Sequence, residues 1–468
     1  AAGFAKVEAI VRTGSTASRS VVFSALAVIL ALGGLFLVPS TLFQSLAAGA
    51  IMAVFTALLA ALTLLPALLG ALGDRVNALR VPLLHKTTGG AGRKGGFWDH
   101  VSSGVMRRPV TSLVLATGFL AVIAGLYFFI ELGSSGVETL PPASESRLGF
   151  EMLERDFPGA SLTPVQIAIR GQADSSGVEQ GIGNLQALVA ADPDFKAPAT
   201  AEVSPAGDLT LLSLGVTGEP TGKDAIAAVR MLRADYIPAA FAGTGLVAGQ
   251  DVLVTGQTGG TIDYLDNITG ATPRVFLFIL GLSFVLLLVV FRSILVPFKA
   301  ILMNLLSAGA AYGLMVAVFQ KGWGADLLGL QKVEFVEAWV PLFLFAVLFG
   351  TSMDYHVFLL SRIRERFDQT GNNRESVAYG VRRTGGIITG AALIMVAVFG
   401  GFAAGDLVMF QQLGFGLGVA VFLDATIVRS VLVPAAMRLL GRANWWFPHW
   451  LHWLPDLRVE TSAETASE

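Results

Sequence analysis

Eight long apolar runs constrain this chain more than any other feature of its sequence. A membrane-spanning helix needs about 20 predominantly apolar residues, and every run comes close to that length or exceeds it. The chain is 54% hydrophobic and only 14% charged, with a mean hydropathy of +0.67, which is typical of membrane proteins with several spans. We therefore predict about eight transmembrane helices, at approximately 20–38, 44–69, 111–131, 274–292, 297–318, 339–361, 386–404 and 411–433.

Composition also excludes several classes of function. The net charge is −2, so nothing in the charge balance indicates a nucleic-acid partner. The chain contains no cysteine, which excludes disulfide bonds, thiolate metal sites and cysteine nucleophiles. It opens at Ala1 without a methionine, and no basic segment followed by a short apolar core indicates a signal peptide. The simplest interpretation is a fragment whose N-terminal part is missing.

Basic residues predict the direction of the spans. Lysine and arginine are frequent in 1–19, 70–110 and 362–385, whereas the alternate connections at 320–338 and 405–410 contain few of them. Cytoplasmic loops carry the excess of basic residues in membrane proteins. The sequence therefore predicts a multi-pass protein of the bacterial cytoplasmic membrane, with both termini of this chain in the cytoplasm.

One predicted extracytoplasmic segment, 132–272, is far longer than an ordinary connection. Apolar residues alternate from Pro164 to Arg170 and from Asp208 to Val216, as in half-buried strands, and 177–191 and 223–234 have helical periodicity. We predict a soluble α+β domain whose helices cover one face of a sheet.

An internal repeat divides the chain. Arg12-Thr13-Gly14 and the later Leu65-Pro66-Ala67 are echoed by Arg383-Thr384-Gly385 and Val433-Pro434-Ala435. Repeated bundles with a site at their interface are an architecture of transporters. We predict the last two transmembrane helices of a first repeat (1–73), a cytoplasmic linker with an interfacial helix (74–110), the first transmembrane helix of a second repeat (111–131), the extracytoplasmic α+β domain (132–272), a five-helix transmembrane bundle (273–441), and a Trp-rich interfacial segment with a disordered cytoplasmic tail (442–468).

Asp354 is the most informative single residue, because it lies inside the apolar run 339–361. A carboxylate at the centre of a bilayer costs at least about 2.5 kcal/mol, so Asp354 needs a partner, a proton or a water-filled cavity. The adjacent Tyr355 can donate a hydrogen bond to a facing carboxylate. One hypothesis is a proton relay; the other is a static hydrogen bond that fixes helix packing. His356 points away from Asp354 on a helix, which favours a pore-side or interfacial position.

Other polar residues in the spans are weaker candidates. Asp424 and Arg429 lie five residues apart in the last span and do not share a helical face well, so an ion pair within the helix is not assured. Either a structural role or an accessory role in the relay fits them. Ser24 and Thr389 lie on spans near the expected relay, where a hydroxyl can bond a carboxylate or its own helix backbone.

Several motifs, taken in order, resemble those of the RND superfamily of proton-driven transporters, and in particular its MMPL branch of lipid exporters. They include Gly350-Thr351-Ser352-Met353-Asp354-Tyr355, Arg383-Thr384-Gly385-Gly386 and Phe422-Leu423-Asp424-Ala425-Thr426-Ile427-Val428-Arg429. The resemblance implies an RND-type fold, a polytopic α-helical membrane protein with one α+β porter-like extracytoplasmic domain. It is strong over the spans and rests on topology alone over 150–265.

The resemblance also implies a mechanism and partners. Asp354 and Tyr355 match a relay pair on the tenth span of the family, which faces a second Asp-Tyr pair on the fourth span. That second pair would precede Ala1, so the missing N-terminal half of the transporter is an expected partner. Protons, membrane lipids and a hydrophobic or lipid-like substrate are the others, and no cofactor, metal or catalytic residue is implied.

The leading hypothesis is a secondary transporter, not an enzyme, in which proton movement drives export of lipids or other hydrophobic compounds. A non-transporting relative, of the protein-secretion or sterol-sensing type, is one alternative. An intramembrane aspartyl protease is another, for which Asp354 and Asp424 would be the only acids deep in the spans.

Overall fold

The computed structural model describes residues 6–73, 97–157 and 163–454. The predicted cytoplasmic linker over 74–96 and the predicted tail after residue 454 lie outside these residues. The helices are α1 (Lys6–Gly33), α2 (Thr41–Leu62), α3 (Leu64–Leu72), α4 (Phe97–Arg107), α5 (Pro109–Gly125), α6 (Glu145–Asp156), α7 (Ser176–Ala190), α8 (Lys223–Met231), α9 (Ile237–Ala240), α10 (Gln257–Phe291), α11 (Leu295–Met315), α12 (Ala325–Leu328), α13 (Trp339–Thr370), α14 (Asn373–Ala403), α15 (Val408–Leu423) and α16 (Val433–Leu440). The strands are β1 (Leu132–Gly133), β2 (Val165–Arg170), β3 (Phe195–Val203), β4 (Leu209–Val216), β5 (Val252–Thr255) and β6 (Val336–Glu337).

The described part of the chain is mostly helical, and seven of its helical stretches are long and apolar enough to cross a membrane. Helices are favoured there because a bilayer offers no water to satisfy backbone hydrogen bonds. Seven of the eight predicted spans are found in this way. The remaining one, predicted at 20–38, is the shorter apolar stretch Val21–Leu37.

Helix α13, which carries Asp354, lies at the centre of the bundle. About 71% of the most apolar 18-residue stretch of this helix is buried, against 0% of the corresponding stretch within Thr41–Leu72. Its aromatic residues form the core: Phe345 stacks on Phe276 of α10 with ring centroids 3.8 Å apart, and Phe349 is fully buried. The polar residues on α13 are therefore surrounded by protein on most sides.

A tight turn joins α13 to α14. Gly371 has φ of +64°, the left-handed conformation that glycine adopts readily at a helix end. The Asn372 side chain then accepts a hydrogen bond from the backbone N–H of Glu375 at 3.2 Å and caps α14. The turn fixes α13 and α14 as antiparallel neighbours, and both contribute to the candidate site.

The glycines of α14 and α15 differ in how closely other parts of the chain approach them. At Gly414, a methyl group would lie 2.4 Å from the backbone N of Ala403, so α14 and α15 approach closely there. A methyl group at Gly386 or Gly390 would meet no described atom within 4 Å. Close contact occurs instead at the neighbouring Gly385.

A four-stranded antiparallel sheet, in the order β3-β4-β2-β5, lies between α5 and α10 in the chain. Its buried residues, including Ile167 and Leu212, pack with Leu185 of α7 and Val229 of α8. The predicted strands and helices of this segment are thus present. Helix α10 begins at Gln257 and runs without interruption to Phe291, so the predicted boundary at 272 falls inside one helix.

The sheet region and the bundle meet at a short parallel pairing of β1 with β6. Glu337 of β6 is 3% exposed, and its carboxylate accepts hydrogen bonds from the backbone N–H and the hydroxyl of Ser135, the former at 2.7 Å. The backbone N–H of Glu337 donates to the side-chain oxygen of Gln412 at 2.7 Å. Burial raises the pKa of the Glu337 carboxyl, although the Ser135 donors act in the opposite direction.

Candidate functional site

The site is built around the middle of α13, where Ser352, Asp354, Tyr355 and His356 follow one another. The side chain of Asp354 lies outside the part of the chain that the structure describes. Tyr355 is partly buried, and its hydroxyl donates to the Met395 sulfur of α14 at 3.5 Å. The guanidinium group of Arg429 lies over the ring of Tyr355, with Cζ 4.3 Å from the ring centroid. This is a cation–π contact between two neighbouring helices.

Arg429 also forms a buried ion pair with Asp424. Its Nη2 and Nε lie 2.6 Å and 3.0 Å from Asp424 Oδ2. The two residues are 3% and 4% exposed. The sequence did not assure an ion pair within the helix, since residues five apart do not share an α-helical face well; the pair forms because Asp424–Leu432 is a π-helix. Hydrogen bonds in a π-helix join residues five apart, which brings such a pair onto one face.

Ser352 connects this ion pair to α13 and α11. The Nη2 of Arg429 donates to the Ser352 carbonyl at 2.9 Å. The Ser352 hydroxyl lies 3.0 Å from Asp424 Oδ2 and 3.1 Å from the Asn304 side-chain oxygen. The Ser352 hydroxyl has one proton and donates to one acceptor at a time. If it donates to Asp424, the Asn304 amide can turn so that its NH₂ group donates to the Ser352 oxygen, which satisfies Ser352, Asp424 and Asn304 together. Three helical segments, α11, α13 and the one that carries Asp424 and Arg429, therefore meet in one polar network.

The network is not fully satisfied. Asp424 Oδ1 and Arg429 Nη1 are buried and have no hydrogen-bond partner among the described residues. A buried pair is stabilised against desolvation only when its remaining atoms are also hydrogen-bonded. The pair therefore keeps one acceptor and one donor available to water or to a residue beyond the described part.

His356 is buried instead of interfacial, at 1% exposure. Its Nδ1 lies 3.2 Å from the Ser352 carbonyl, one turn earlier on the same helix. Its Nε2 has no described partner. The histidine thus lies beside the network, contrary to the expected pore-side or interfacial position.

The structure does not bring Ser24 or Thr389 into the network. Ser24 is half-buried on α1, and Thr389 is exposed on α14, and neither hydroxyl bonds to Asp424 or Arg429 among the described residues. Conversely, sequence reasoning missed Asn304, which is 2% exposed on α11. An isolated amide within the apolar run 297–318 was the available signal, by the same argument that singled out Asp354.

Comparison with known proteins identifies a family and several relatives that this chain resembles. The sequence profile of the MMPL family matches residues 1–112 and 138–456. The chain is 37% identical to the mycolic acid-containing lipids exporter MmpL11 of Mycolicibacterium smegmatis, with 98% of this chain and 48% of that protein covered. It is 31% identical to the trehalose monomycolate exporter MmpL3 of Mycobacterium tuberculosis, with 96% and 50% covered.

A further relative, the heme uptake protein MmpL11 of Mycobacterium tuberculosis, is 36% identical, with 95% of this chain and 45% of that protein covered. The chain thus spans about half the length of these relatives. Among solved structures, SecDF, a translocon-associated membrane protein from Thermus thermophilus, is similar with a TM-score of 0.47 and 14% identity, and 94% of this chain and 50% of that chain are covered.

Proposed function

The chain belongs to the MMPL family, and on that premise we propose that it is the C-terminal portion of a proton-driven transporter that exports lipids or other hydrophobic compounds. Two of its relatives carry the names of lipid exporters, which supports a lipid-like substrate. A third relative is named for heme uptake, and heme is also a largely apolar compound. The N-terminal half of such a transporter is the main protein partner in this proposal.

The observation that carries the proposal is the polar network in the centre of an otherwise apolar bundle. Buried ion pairs stabilise folded proteins weakly at best, so such a network is a candidate for function. Asp354 and Tyr355 are the proposed relay residues. The Asp424–Arg429 pair positions Tyr355, because the guanidinium of Arg429 contacts both the Asp424 carboxylate and the Tyr355 ring.

In this mechanism, Asp354 takes up a proton when the site opens to the outside and releases it towards the cytoplasm. Loss of its charge removes the desolvation cost of a carboxylate in the membrane, which favours a different packing of α13 against the first repeat. The fixed charge of Arg429 stays in place throughout, since it is paired with Asp424. Rearrangement of the two repeats would then move the substrate towards the sheet region, the proposed porter-like domain.

The topology in this proposal follows the basic loops, which place both termini of the chain in the cytoplasm. The sheet region then lies outside the cytoplasmic membrane, and the chain is divided into the segments predicted from the sequence. Its role would be to receive the substrate from the bundle, as the connection through β1 and β6 allows.

An intramembrane aspartyl protease is disfavoured by the geometry of Asp424. A protease dyad needs two carboxylates that share one proton. Asp424 Oδ2 already accepts two hydrogen bonds from Arg429. The network is therefore better suited to holding a tyrosine and a water than to cleaving a peptide.

The test is export by the full-length protein with Asp354→Asn, measured as release of labelled lipid from vesicles under an imposed proton gradient. We expect loss of gradient-driven export, because asparagine cannot exchange a proton. The matched control is Asp326→Asn, an exposed acid on the short helix α12, which should leave export unchanged. Wild-type export by Asp354→Asn would refute the relay, and no export by the unmodified protein would favour the non-transporting alternative.

A further inference from the structure

Two small cavities meet at Arg429. The first, here called the central cavity, is bordered by Ser352, Tyr355, Met395, Asp424 and Arg429. The second, here called the lower cavity, is bordered by Trp98, Leu359, Thr384, Gly385, Arg429 and Ser430. Each offers about 10 Å³ to the centre of a water molecule, which is close to the room that one water needs.

The residues on the three helices that line both cavities show that the lower cavity is displaced from the central one in a single direction along the bundle. Along α13 the lining passes from Tyr355 in the central cavity to Leu359 in the lower one. Along the π-helix it passes from Asp424 to Ser430, and along the antiparallel α14 it passes back from Met395 to Thr384. At 3.6 residues per turn, these offsets place the lower cavity roughly one to three turns closer to the arginine-rich 362–385 connection.

Buried polar atoms with no partner in the described part of the chain belong to residues that line these cavities. Arg429 borders both, and its Nη1 is buried with no partner among the described residues. Asp424 Oδ1, which is in the same condition, belongs to a residue of the central cavity. A buried polar group without a hydrogen bond is unfavourable, so these atoms favour water in the adjoining space. Water at this position would touch the ion pair that holds Tyr355.

Trp98 of α4 is the one residue of the lower cavity, among those described, that comes from outside these three helices. Its ring lies directly on the backbone of α14: a methyl group at Gly385 would be 2.7 Å from Trp98 Cδ2. The next residue, Asp99, forms an ion pair with Arg382 of α14 at 2.9 Å. Helix α4 ends at Arg107, two residues before the Pro109 that starts a membrane span, so Trp98 covers the cavity at the basic end of the bundle.

We propose that the central and lower cavities form a water-filled route from the Tyr355 site to the cytoplasmic surface, and that Trp98 closes this route. The inference rests on the proposed function, since it identifies where a proton would leave the relay. In this proposal Trp98 controls access to the relay residues and is not itself one of them. Glycine at 385 is required because any larger residue would displace the ring.

Cysteine chemistry provides a direct test, since residues 1–468 contain no cysteine. Ser430→Cys places a single thiol in the wall of the lower cavity within this part of the full-length protein. The measurement is the rate at which a small water-soluble methanethiosulfonate labels that thiol in membrane vesicles from the cytoplasmic side. With Trp98 present, we expect slow labelling, because access requires local opening of the contact between α4 and α14.

Adding Trp98→Ala should accelerate labelling at least about tenfold, since access no longer waits for that opening. Trp98→Phe should give a smaller increase. Gly385→Ala should also accelerate labelling, because its methyl group and the indole cannot occupy the same space. Gly386→Ala is the matched control, one residue further along the same helix with no described atom within 4 Å of the added methyl, and should leave the rate unchanged.

Equal labelling rates in the unmodified, Trp98→Ala and Gly385→Ala backgrounds would overturn the gate. If Trp98→Ala fails to fold, Trp98→Phe and Gly385→Ala decide the question alone. Passive proton flux into vesicles, followed with a pH-sensitive dye, should rise in Trp98→Ala, and an unchanged flux would overturn the route. Wild-type export by Asp354→Asn would instead refute the relay without altering the labelling rates, so the two failures are distinguishable.

Discussion

Replacement of Arg429 by methionine removes four hydrogen bonds, two to Asp424 Oδ2 and two to Ser352, at its carbonyl and at its hydroxyl. Asp424 is then left as a carboxylate at 4% exposure with only the Ser352 hydroxyl facing it. Removing one partner of a buried ion pair costs about 3–5 kcal/mol. We expect a loss of that size in the free energy of unfolding for Arg429→Met, and a similar loss for Asp424→Leu.

The double variant Asp424→Leu with Arg429→Met should behave differently. Because both charges are gone, no uncompensated group remains, and buried ion pairs replaced by apolar residues are often neutral in stability. We expect the double variant to unfold within about 1 kcal/mol of the unmodified protein. The assay is equilibrium unfolding in mixed micelles, followed by the decrease in helical circular dichroism with rising mole fraction of sodium dodecyl sulfate.

An exposed ion pair serves as the control. Arg230 and Asp266 are bonded to each other, but their side chains are 48% and 53% exposed. Exposed pairs contribute about 0–1 kcal/mol, so Arg230→Met should change the unfolding free energy by no more than that. If Arg429→Met lost no more stability than Arg230→Met, the argument that Asp424 and Arg429 form a desolvated pair would be refuted.

The double variant also separates structure from mechanism. It restores stability but removes the guanidinium that contacts the Tyr355 ring. Export by the folded double variant would show that the pair only fixes the packing of the last span. Loss of export in a stable double variant would support the positioning role.

Two further predictions concern the edges of the bundle. Burial raises the pKa of Glu337, so the stability contributed by its neutral carboxyl is fully present below the ordinary glutamate pKa of about 4.3 and is lost as the pH rises through the raised value. The melting temperature of Glu337→Gln should therefore lack this decline with rising pH. An identical pH profile in both proteins would contradict the prediction. Gly414→Ala should lose about 1–3 kcal/mol of unfolding free energy in the micelle assay, because the new methyl group would lie 2.4 Å from the Ala403 backbone N, whereas Gly390→Ala, with open space around it, should not.

Local patterns in the sequence were sufficient for most of the fold. Apolar length predicts the spans because a bilayer imposes a minimum length, and alternation predicts β2 and β4 because one face of each strand is buried. Apolar length and alternation can each be read from the residues of a single helix or strand. The resemblance over the motifs of α13 to the last span was likewise a sequence-level observation, and the family profile agrees with it.

The candidate site was harder to predict because its contacts depend on backbone geometry and on neighbours remote in sequence. An α-helical spacing rule separates Asp424 from Arg429, and only the π-helical winding of that segment brings them together. Ser352 contacts residues 48 and 72 positions away, which no local pattern records. Whether Asp354 acts in a relay stays a prediction.

Helix α10 has a consequence for mechanics. Its 35 residues form one rod, about 52 Å long at 1.5 Å per residue. Arg230 and Arg233 of the sheet region are bonded to Asp266 and Asp263 near the start of this rod, while its far end is embedded among the spans. A rod anchored at both ends acts as a lever: a tilt of about 5° inside the bundle displaces the opposite end by roughly 4–5 Å. Pro273, which removes one backbone hydrogen bond, is the point at which such a lever bends most easily.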